Sequence, residues 1–342
     1  MEIKRLVREN ILKMKSYSSA RDEFSGVDGL FLDANENPYQ NGVNRYPDPY
    51  QQELKIVIAE QRSVELEQVL LGNGSDEVLD LLFRAFCEPK QDNVVLASPS
   101  YGMYKVLANL NDVRCNEVLL ESDFSLDADK IIAATDENTK LIILCSPNNP
   151  TGNSISKEVV EKVLNNTNCL VVVDEAYIDF SLSNSLINYL NKYDQLIVCQ
   201  TLSKYYGMAG IRLGMCFASK EIIAILNRIK PPYNVNVLTQ NKAIELLKNK
   251  NDDYKNEVTE ERNRLKESLS SLSFVIEVYP SDANFLLVKT INANEVYNQL
   301  LAQNIIIRNR TNEPLCKGCV RISIGTKEEN TALIAGLKNI KI

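Results

Sequence analysis

Lys204 is the side chain in this sequence whose surroundings best suit covalent chemistry. It ends the segment 201–204 (TLSK), directly after the apolar run 196–199, and Arg212 follows eight positions later. A lysine amine can bond to a carbonyl carbon, whereas the hydroxyl of Ser203 and the guanidinium of Arg212 suit phosphate oxygens. The spacing therefore indicates a site for an aldehyde that carries a phosphate. The alternative, an ordinary surface lysine, does not explain the Ser-Lys pair and the arginine behind a buried strand.

Polar residues also follow the carboxyl ends of two further apolar runs. Asp174 and Tyr177 follow residues 170–173, and Asn149 lies in the turn-like segment after residues 141–144. Open α/β sheets place ligand sites at the carboxyl ends of their strands. An amine, a carboxylate, an amide, a phenol and an anion clamp can together hold pyridoxal phosphate. The alternatives are a helix N-cap at Asp174 and a plain turn at Asn149, and for Asn149 alone the turn explains the sequence better.

The phosphate of such a ligand needs donors from two places. Gly74, Ser75 and Asp76 lie between a strand pattern and a helix pattern, so the free backbone amides of the helix start can receive an anion. Thr201 adds a hydroxyl on the side of Ser203 and Arg212. The alternatives are that Ser75 only caps the helix and that Arg212 forms a surface ion pair. We name this predicted set of donors the phosphate cup.

Composition excludes several classes of function. The 342 residues include 45 acidic and 38 basic side chains, giving a net charge of −7, and no long basic stretch. Nucleic acid and anionic membrane surfaces are therefore not expected as partners. The start of the chain lacks the apolar core of a signal peptide, and no apolar run approaches transmembrane length. We expect a cytoplasmic protein.

The chain has no histidine and eight scattered cysteines. Histidine triads, histidine-ligated metals and histidine bases are thus impossible, so proton transfer must use another group, for which a lysine of lowered pKa is the candidate. The single C-x-x-C, at 316–319, has no second ligand pair for zinc and leads into a strand rather than a helix, so we interpret it as incidental. We expect no metal.

The order of apolar runs predicts the architecture. Strand-like runs alternate with helical spacing up to about residue 230, which favours an α/β fold with a mostly parallel central sheet covered by helices. Helical spacing then continues from 237 to 272, and a smaller α+β domain follows. The predicted strands are 69–71, 94–97, 141–144, 170–173, 196–199, 213–217, 274–278, 283–288, 305–308 and 320–324, and the clearest helices are 76–86, 101–110, 157–164 and 221–229.

The sequence resembles the fold-type-I pyridoxal-phosphate aminotransferases, and among them the histidinol-phosphate aminotransferases. The resemblance runs from residues 17–21 (YSSAR) and 32–38 (LDANENP) to 321–325 (RISIG), with motifs in the family's order. It implies the fold-type-I transferase fold. The implied domains are an N-terminal arm, 1–34, packing with the smaller domain, a large cofactor-binding domain, 35–235, and the smaller domain, 236–342.

The resemblance also implies roles around the cofactor. Lys204 would bond to the aldehyde and move the substrate Cα proton, and Asp174 would pair with the ring nitrogen. Tyr177 and Asn149 would donate to the phenolic oxygen. Tyr101 matches the aromatic residue that stacks on the ring, although a core aromatic at a helix start is the alternative.

Tyr46 matches a residue that reaches the cofactor phosphate of the neighbouring subunit. The resemblance therefore implies a homodimer with shared active sites. From its own sequence context Tyr46 is only an aromatic residue beside a turn.

Substrate recognition is assigned to arginines of the smaller domain. Apolar residues alternate with Arg321 along 320–324, so its side chain leaves the strand opposite the packed face and can meet an anion. Arg308 and Tyr17 match the other residues that hold the substrate phosphate, and glutamate carboxylates in the second half-reaction. For each arginine the alternative is a solvated strand end. Asn35 and Tyr233 lie in family-like segments and would line the substrate pocket.

The resemblance implies one reaction and leaves three alternatives. The implied reaction converts L-histidinol phosphate and 2-oxoglutarate to imidazole-acetol phosphate and L-glutamate, in histidine biosynthesis. Threonine-phosphate decarboxylases and aromatic amino-acid aminotransferases share the scaffold and also bind anions. A non-catalytic cofactor-binding regulator is the alternative of another class, which the acidic charge and the retained Lys204, Asp174 and Arg212 disfavour.

Overall fold

The central sheet has seven strands, six of which run in the same direction. The computed structural model describes residues 2–15, 29–249 and 254–341. Within these ranges the strands are β1 (Val69–Asn73), β2 (Asn93–Ser98), β3 (Arg114–Leu119), β4 (Thr139–Cys145), β5 (Leu170–Asp174), β6 (Leu196–Thr201) and β7 (Leu213–Phe217). Their order is β1-β7-β6-β5-β4-β2-β3, and β7 is antiparallel to both of its neighbours.

Helices cover both faces of this sheet. They are α1 (Glu9–Lys13), α2 (Gln52–Arg62), α3 (Ser75–Phe86), α4 (Met103–Leu110), α5 (Ala128–Ala133), α6 (Lys157–Asn166), α7 (Lys220–Ile229) and α8 (Val237–Lys248). Along β4, Ile142 and Leu144 pack with α2, α6 and α8, whereas Leu141 and Ile143 pack with α3, α4 and α7. Burial on both faces explains the unbroken apolar runs in the sequence. The predicted α/β fold class is confirmed.

The edge strand β3 was not predicted. None of its six residues is fully buried, and Arg114, Glu117 and Leu119 are exposed. An edge strand that is solvated in this way gives no continuous apolar run, which is the pattern that revealed the other six.

The smaller domain contains a second sheet, which is antiparallel. Its elements are α9 (Tyr254–Ser270), β8 (Val275–Val278), β9 (Phe285–Thr290), α10 (Ala293–Ala302), β10 (Arg308–Asn309), β11 (Cys319–Ser323) and α11 (Lys327–Lys338), with strand order β10-β11-β9-β8. The predicted strand 305–308 is wrong for its first part, because Ile305 completes the end of α10 by donating its backbone N–H to Leu300. Strand pairing begins at Arg308.

The helical stretch predicted from 237 to 272 is two helices, and they pack in different places. Ala243, Ile244 and Leu247 of α8 are buried in the same cluster as β1, β4 and β5 of the central sheet. Leu265 and Leu269 of α9 belong to the core of the smaller domain. Apolar spacing identifies the buried face of a helix without showing what it packs against, so the sequence did not separate these two helices.

The described part of the N-terminal arm packs on the large domain, which differs from the expected packing with the smaller domain. Ile3, Val7 and Ile11 are buried in the cluster that contains α3 and α7. Arg8 forms an ion pair with Glu88, at a nitrogen–oxygen distance of 3.0 Å. The spacing of these three apolar residues, four positions apart, indicates a buried face but does not show which part of the molecule covers it.

Candidate active site

One cavity brings together most of the predicted site residues. It has a volume of about 310 Å³ and lies where the carboxyl ends of β4, β5 and β6 meet the start of α3 and the arginines of the smaller domain. Twelve predicted residues line it: Ser75, Asp76, Tyr101, Asn149, Asp174, Tyr177, Thr201, Ser203, Lys204, Arg212, Arg308 and Arg321. The lining residues that were not predicted include Cys145 and Arg310.

Lys204 lies in the turn that follows β6. Backbone bonds from Leu202 to Leu213 and from Met208 to Leu202 close this turn and fix the lysine at the cavity. Its ammonium nitrogen is 5.7 Å from the centre of the Tyr177 ring. Desolvation, with a further contribution from the charge of Arg321, lowers the pKa of Lys204, although Asp174 opposes this shift. A lowered pKa favours the neutral amine, which is the form that attacks a carbonyl and accepts a proton.

Asp174 is the last residue of β5 and is buried beneath the cavity. Its Oδ2 accepts a hydrogen bond of 2.6 Å from the hydroxyl of Tyr104, and its Oδ1 accepts one of 3.0 Å from the backbone N–H of Ala176. Burial raises the pKa of Asp174, whereas these two hydrogen bonds oppose the shift. Such a carboxylate is oriented by fixed donors and is suited to pair with a cation, such as a protonated pyridine nitrogen.

Tyr104 contacts the candidate site through Asp174, and the sequence did not reveal this contact. It lies on α4 and is 1% exposed, and its ring meets that of Tyr101 edge to face at 5.5 Å. In an amphipathic helix a buried tyrosine reads as a core residue, because the sequence does not show where its hydroxyl points.

Three features form the phosphate cup. Gly74 has φ +82°, and a Cβ at that position would lie 2.6 Å from a terminal nitrogen of Arg212, so the glycine leaves room for the guanidinium. The helix α3 begins at Ser75, and the backbone N–H groups of its first turn are available to an anion. Arg212 also lies 3.7 Å from the carboxylate of Asp76, which accepts a bond from Tyr101. Asp76 therefore orients Arg212 with its side chain.

The hydroxyl groups on the other side of the cup are linked to each other. The side chain of Thr201 donates to the backbone carbonyl of Leu213, at 3.1 Å, and its oxygen accepts the backbone N–H of Ser203. The two hydroxyl oxygens are 3.0 Å apart. Thr201 is thus engaged in holding the turn, and Ser203 is the better placed phosphate donor.

Two arginines of the smaller domain face the same cavity from opposite strands. Arg308 of β10 and Arg321 of β11 are direct partners in the antiparallel pairing. Arg321 donates to the side-chain oxygen of Asn149, and its guanidinium lies 5.3 Å from the ring of Phe285. Burial, followed by the charge of Arg310, lowers the pKa of Arg321. The part of the cavity that β10 and β11 line is therefore positively charged.

Three predicted residues lie together outside this cavity. Asn35 and Tyr46 line a second cavity of about 410 Å³, and the ring of Tyr233 stacks on that of Tyr46 at 4.5 Å. Within one chain these side chains do not line the Lys204 cavity. The remaining predicted residue, Tyr17, lies outside the described residues.

Comparison with known proteins agrees with this geometry. Residues 32–337 match the model of the family "Aminotransferase class I and II". The chain is 56% identical to a histidinol-phosphate aminotransferase of Flavobacterium johnsoniae, over 98% of each chain. It is similar to the crystal structure of histidinol-phosphate aminotransferase from Clostridium acetobutylicum, with 28% identity and a TM-score of 0.78 over 87% of this chain and 91% of that one. The chain belongs to the class I and II aminotransferase family.

The Sinorhizobium meliloti histidinol-phosphate aminotransferase, solved with pyridoxal-5'-phosphate, shares the fold, with a TM-score of 0.79 and 24% identity over 86% of this chain and 82% of that one. The family uses pyridoxal phosphate. The residues of this chain fit that cofactor, because one cavity holds a lysine amine, a buried carboxylate and the phosphate cup. Lys204 would bond to its aldehyde, Asp174 would face its ring nitrogen, and Ser203 and Arg212 would hold its phosphate.

Proposed function

We propose that this chain transfers an amino group from L-histidinol phosphate to 2-oxoglutarate, giving imidazole-acetol phosphate and L-glutamate in histidine biosynthesis. The observation that carries the proposal is the pairing of Arg308 with Arg321 at the cavity that contains Lys204. Both proposed donors, histidinol phosphate and glutamate, have an anionic group beyond the reacting carbon. Guanidinium groups bind such anions by paired hydrogen bonds. The relatives with this activity in their names add independent support.

Proton transfer is the task of Lys204. When bound, pyridoxal phosphate supplies a conjugated ring that accepts the electron pair of the breaking Cα–H bond. The lowered pKa of Lys204 keeps its Nζ able to accept the proton from Cα and to return it on the other side of the reaction. Because the chain contains no histidine, Lys204 carries this role without an imidazole base.

The other residues set charge and orientation. Asp174, held by Tyr104 and by the backbone of Ala176, presents its carboxylate at a fixed position under the cavity. Arg321 anchors the far end of the substrate and thereby selects which bond of Cα stands perpendicular to the ring. Histidinol phosphate has a phosphate as its only anionic group. Binding of this phosphate by Arg321 should favour an orientation in which the Cα–H bond breaks.

Substrate analysis tests the proposal. Purified protein loaded with pyridoxal phosphate should form L-glutamate from L-histidinol phosphate and 2-oxoglutarate. Release of carbon dioxide from L-threonine phosphate, without glutamate formation, would instead establish a decarboxylase. Turnover of phenylalanine at a rate above that of histidinol phosphate would establish an aromatic aminotransferase, and cofactor binding without any turnover would favour a regulator.

We also propose a homodimer with shared active sites. Tyr46 is 49% exposed and lies at the second cavity, close to further exposed apolar side chains. Those in the adjoining segments are Leu30, Leu32, Tyr39, Val43 and Leu238. An exposed apolar surface of this kind typically binds another protein surface. A second copy on this surface would bring Tyr46 towards the partner's phosphate cup.

Complementation tests whether the sites are shared. The variants Lys204→Ala and Tyr46→Phe should each be weakly active or inactive alone. Reassociation of equal amounts should restore activity, because heterodimers carry both changes in one site and none in the other, leaving about a quarter of all sites intact. No recovery, or a monomer mass in light scattering, would exclude a shared site.

The location of the protein follows from the same proposal. Among the helices that the structure describes, none combines the length and the hydropathy needed to cross a bilayer. We propose that the protein acts in the cytoplasm, where amino-acid biosynthesis takes place. Fractionation of cells that produce it should recover it with cytoplasmic enzymes.

A further inference from the structure

We propose that Arg310 is a third substrate-binding arginine, which makes the site prefer a phosphate dianion to a carboxylate. The inference rests on the proposed function and names the group that decides its substrate class. Arg310 was not predicted, and the resemblance assigned the substrate phosphate to Arg308, Arg321 and Tyr17. The structure places Arg310 in the lining of the same cavity.

Strand pairing puts the three guanidinium groups side by side. Arg308 pairs with Arg321, and Asn309 pairs with Val320. The backbone N–H of Arg310 then donates to the carbonyl of Cys319, at 2.9 Å, so the strand conformation continues past the end of β10. Because side chains alternate along a strand, Arg308 and Arg310 leave on one face, next to the cross-strand Arg321.

The guanidinium of Arg310 keeps donors available for a ligand. Its side chain is 19% exposed, and a terminal nitrogen forms an ion pair with Glu313 at 3.3 Å. Its Nε is buried and has no hydrogen-bond partner among the residues that the structure describes, and the same holds for the Nε of Arg321. Buried donors without acceptors destabilise a protein unless a ligand satisfies them.

The charges of the cavity also require an anion there. Of the described residues that line it, five are cationic and two are carboxylates, whereas the whole chain has a net charge of −7. Arg212 lies in the phosphate cup, and Lys204 is reserved for the cofactor aldehyde. Arg308, Arg310 and Arg321 remain as three neighbouring like charges; Glu313 offsets part of the charge of Arg310, and a bound anion would relieve the remaining repulsion.

A phosphate uses three guanidinium groups better than a carboxylate does. One guanidinium satisfies the two oxygens of a carboxylate bidentately. A phosphate monoester has a third free oxygen and a second negative charge, and these can engage a further arginine. Arg310 should therefore add more to the binding of histidinol phosphate than to that of glutamate.

The test compares binding of three ligands without turnover. Lys204→Ala protein loaded with pyridoxal phosphate is titrated by calorimetry with L-histidinol phosphate, L-histidinol and L-glutamate, with and without Arg310→Gln. Because Arg310→Gln removes a charged hydrogen bond, it should weaken the binding of histidinol phosphate by roughly 10- to 100-fold. The affinity for glutamate should fall by less than about threefold. Arg310→Lys should recover part of the loss, since it keeps the charge without the planar fork.

The control is Arg264→Gln, which removes the same charge from the Arg264–Glu261 pair on α9. It should leave all three affinities unchanged. If the Arg310→Gln protein still prefers histidinol phosphate over histidinol as strongly as the parent does, the inference is wrong and the proposed function stands. If the parent itself shows no preference for the phosphorylated ligand, the proposed function fails and the inference fails with it.

Discussion

Arg321 donates a hydrogen bond to the side-chain oxygen of Asn149, across 172 positions of sequence and from one domain to the other. This bond uses the acceptor of the amide, so the NH2 group of Asn149 is the part that remains to donate. In the proposed site that donor faces the phenolic oxygen of the cofactor. The arginine that binds the substrate anion is thus connected through one amide to the electronic state of the ring.

Replacing Asn149 by alanine should raise the pH at which the absorbance of the bound cofactor changes. Donation to the phenolic oxygen stabilises its negative charge, which is largest after the neighbouring nitrogen has lost its proton. Without Asn149 the proton should therefore be held more tightly, by about one pKa unit for one lost hydrogen bond. A spectrophotometric pH titration measures this shift. Asn166→Ala, at an exposed position on α6, should give the parent midpoint; an equal midpoint for Asn149→Ala would contradict the assigned role.

The phosphate cup can be tested with two glycines that both have a positive φ. Gly74 has φ +82° and Gly42 has φ +84°, so an alanine strains the backbone at both positions. A Cβ at Gly74 would meet the end of the Arg212 side chain, whereas a Cβ at Gly42 meets nothing within 4 Å. Gly74→Ala should displace Arg212 and weaken the binding of pyridoxal phosphate by roughly 10- to 100-fold. Gly42→Ala should leave cofactor affinity unchanged, and equal affinities in both variants would exclude Arg212 from the cup.

The residues that could be predicted from the sequence follow continuous buried runs. Asp174 and Lys204 lie at or after the ends of strands whose residues are buried on both faces, and such strands are visible as unbroken apolar segments. Parallel strands then bring their carboxyl ends to one edge. For this part of the molecule, local patterns and the rules of α/β sheets were sufficient to predict that these side chains lie at one cavity.

The residues that were missed depend on contacts that local patterns do not encode. The sequence pattern around Tyr104 predicts only a core residue, whereas the structure places its hydroxyl 2.6 Å from Asp174. Arg310 follows a strand of only two residues, so alternation along it has too few positions to detect. Asn35 and Tyr46 were predicted from the resemblance, and their position outside the Lys204 cavity leaves their roles to a second subunit, as proposed.

The buried carboxyl group of Asp174, which would pair with the cofactor, should lower the free energy of unfolding of the cofactor-free protein. Burial raises its pKa, so the folded protein resists ionisation of a carboxyl group that ionises freely in the unfolded chain. This difference destabilises the folded state once the pH exceeds the unfolded pKa of about 3.9, and the effect grows until the folded pKa is passed. Cofactor-free Asp174→Asn protein should therefore melt a few degrees higher than the parent at pH 8, with a smaller gain near pH 4.

Melting curves of cofactor-free protein across that pH range provide the measurement. Asp123 is the control, because it is exposed and hydrogen bonds from Ser125 lower its pKa. Asp123→Asn should not raise the melting temperature at pH 8, because the lowered pKa of Asp123 stabilises the folded protein at that pH. Asp174→Asn should also lose tight cofactor binding. A variant that is less stable than the parent at pH 8 would show that its hydrogen bonds outweigh the cost of burying the charge.

Lys204 should be the lysine that bonds to the cofactor, although two other lysines also have lowered pKa values. Burial lowers the pKa of Lys55 and of Lys230 to about 8 each. Lys230 donates to the carbonyl of Pro49 and to Asn234, and neither buried lysine lines the cavity. Amine reactivity alone would therefore allow three sites, whereas geometry allows one.

Borohydride reduction in the presence of pyridoxal phosphate distinguishes these possibilities. It should fix the cofactor to the peptide that contains Lys204, as read by mass spectrometry. Lys204→Ala should abolish both the label and turnover while the protein still binds the cofactor through Asp174 and the phosphate cup. Lys55→Met should keep the label and the activity, because Lys55 touches neither the cofactor nor the substrate. Labelling of the Lys55 or Lys230 peptide in the parent protein would overturn the assignment of the site.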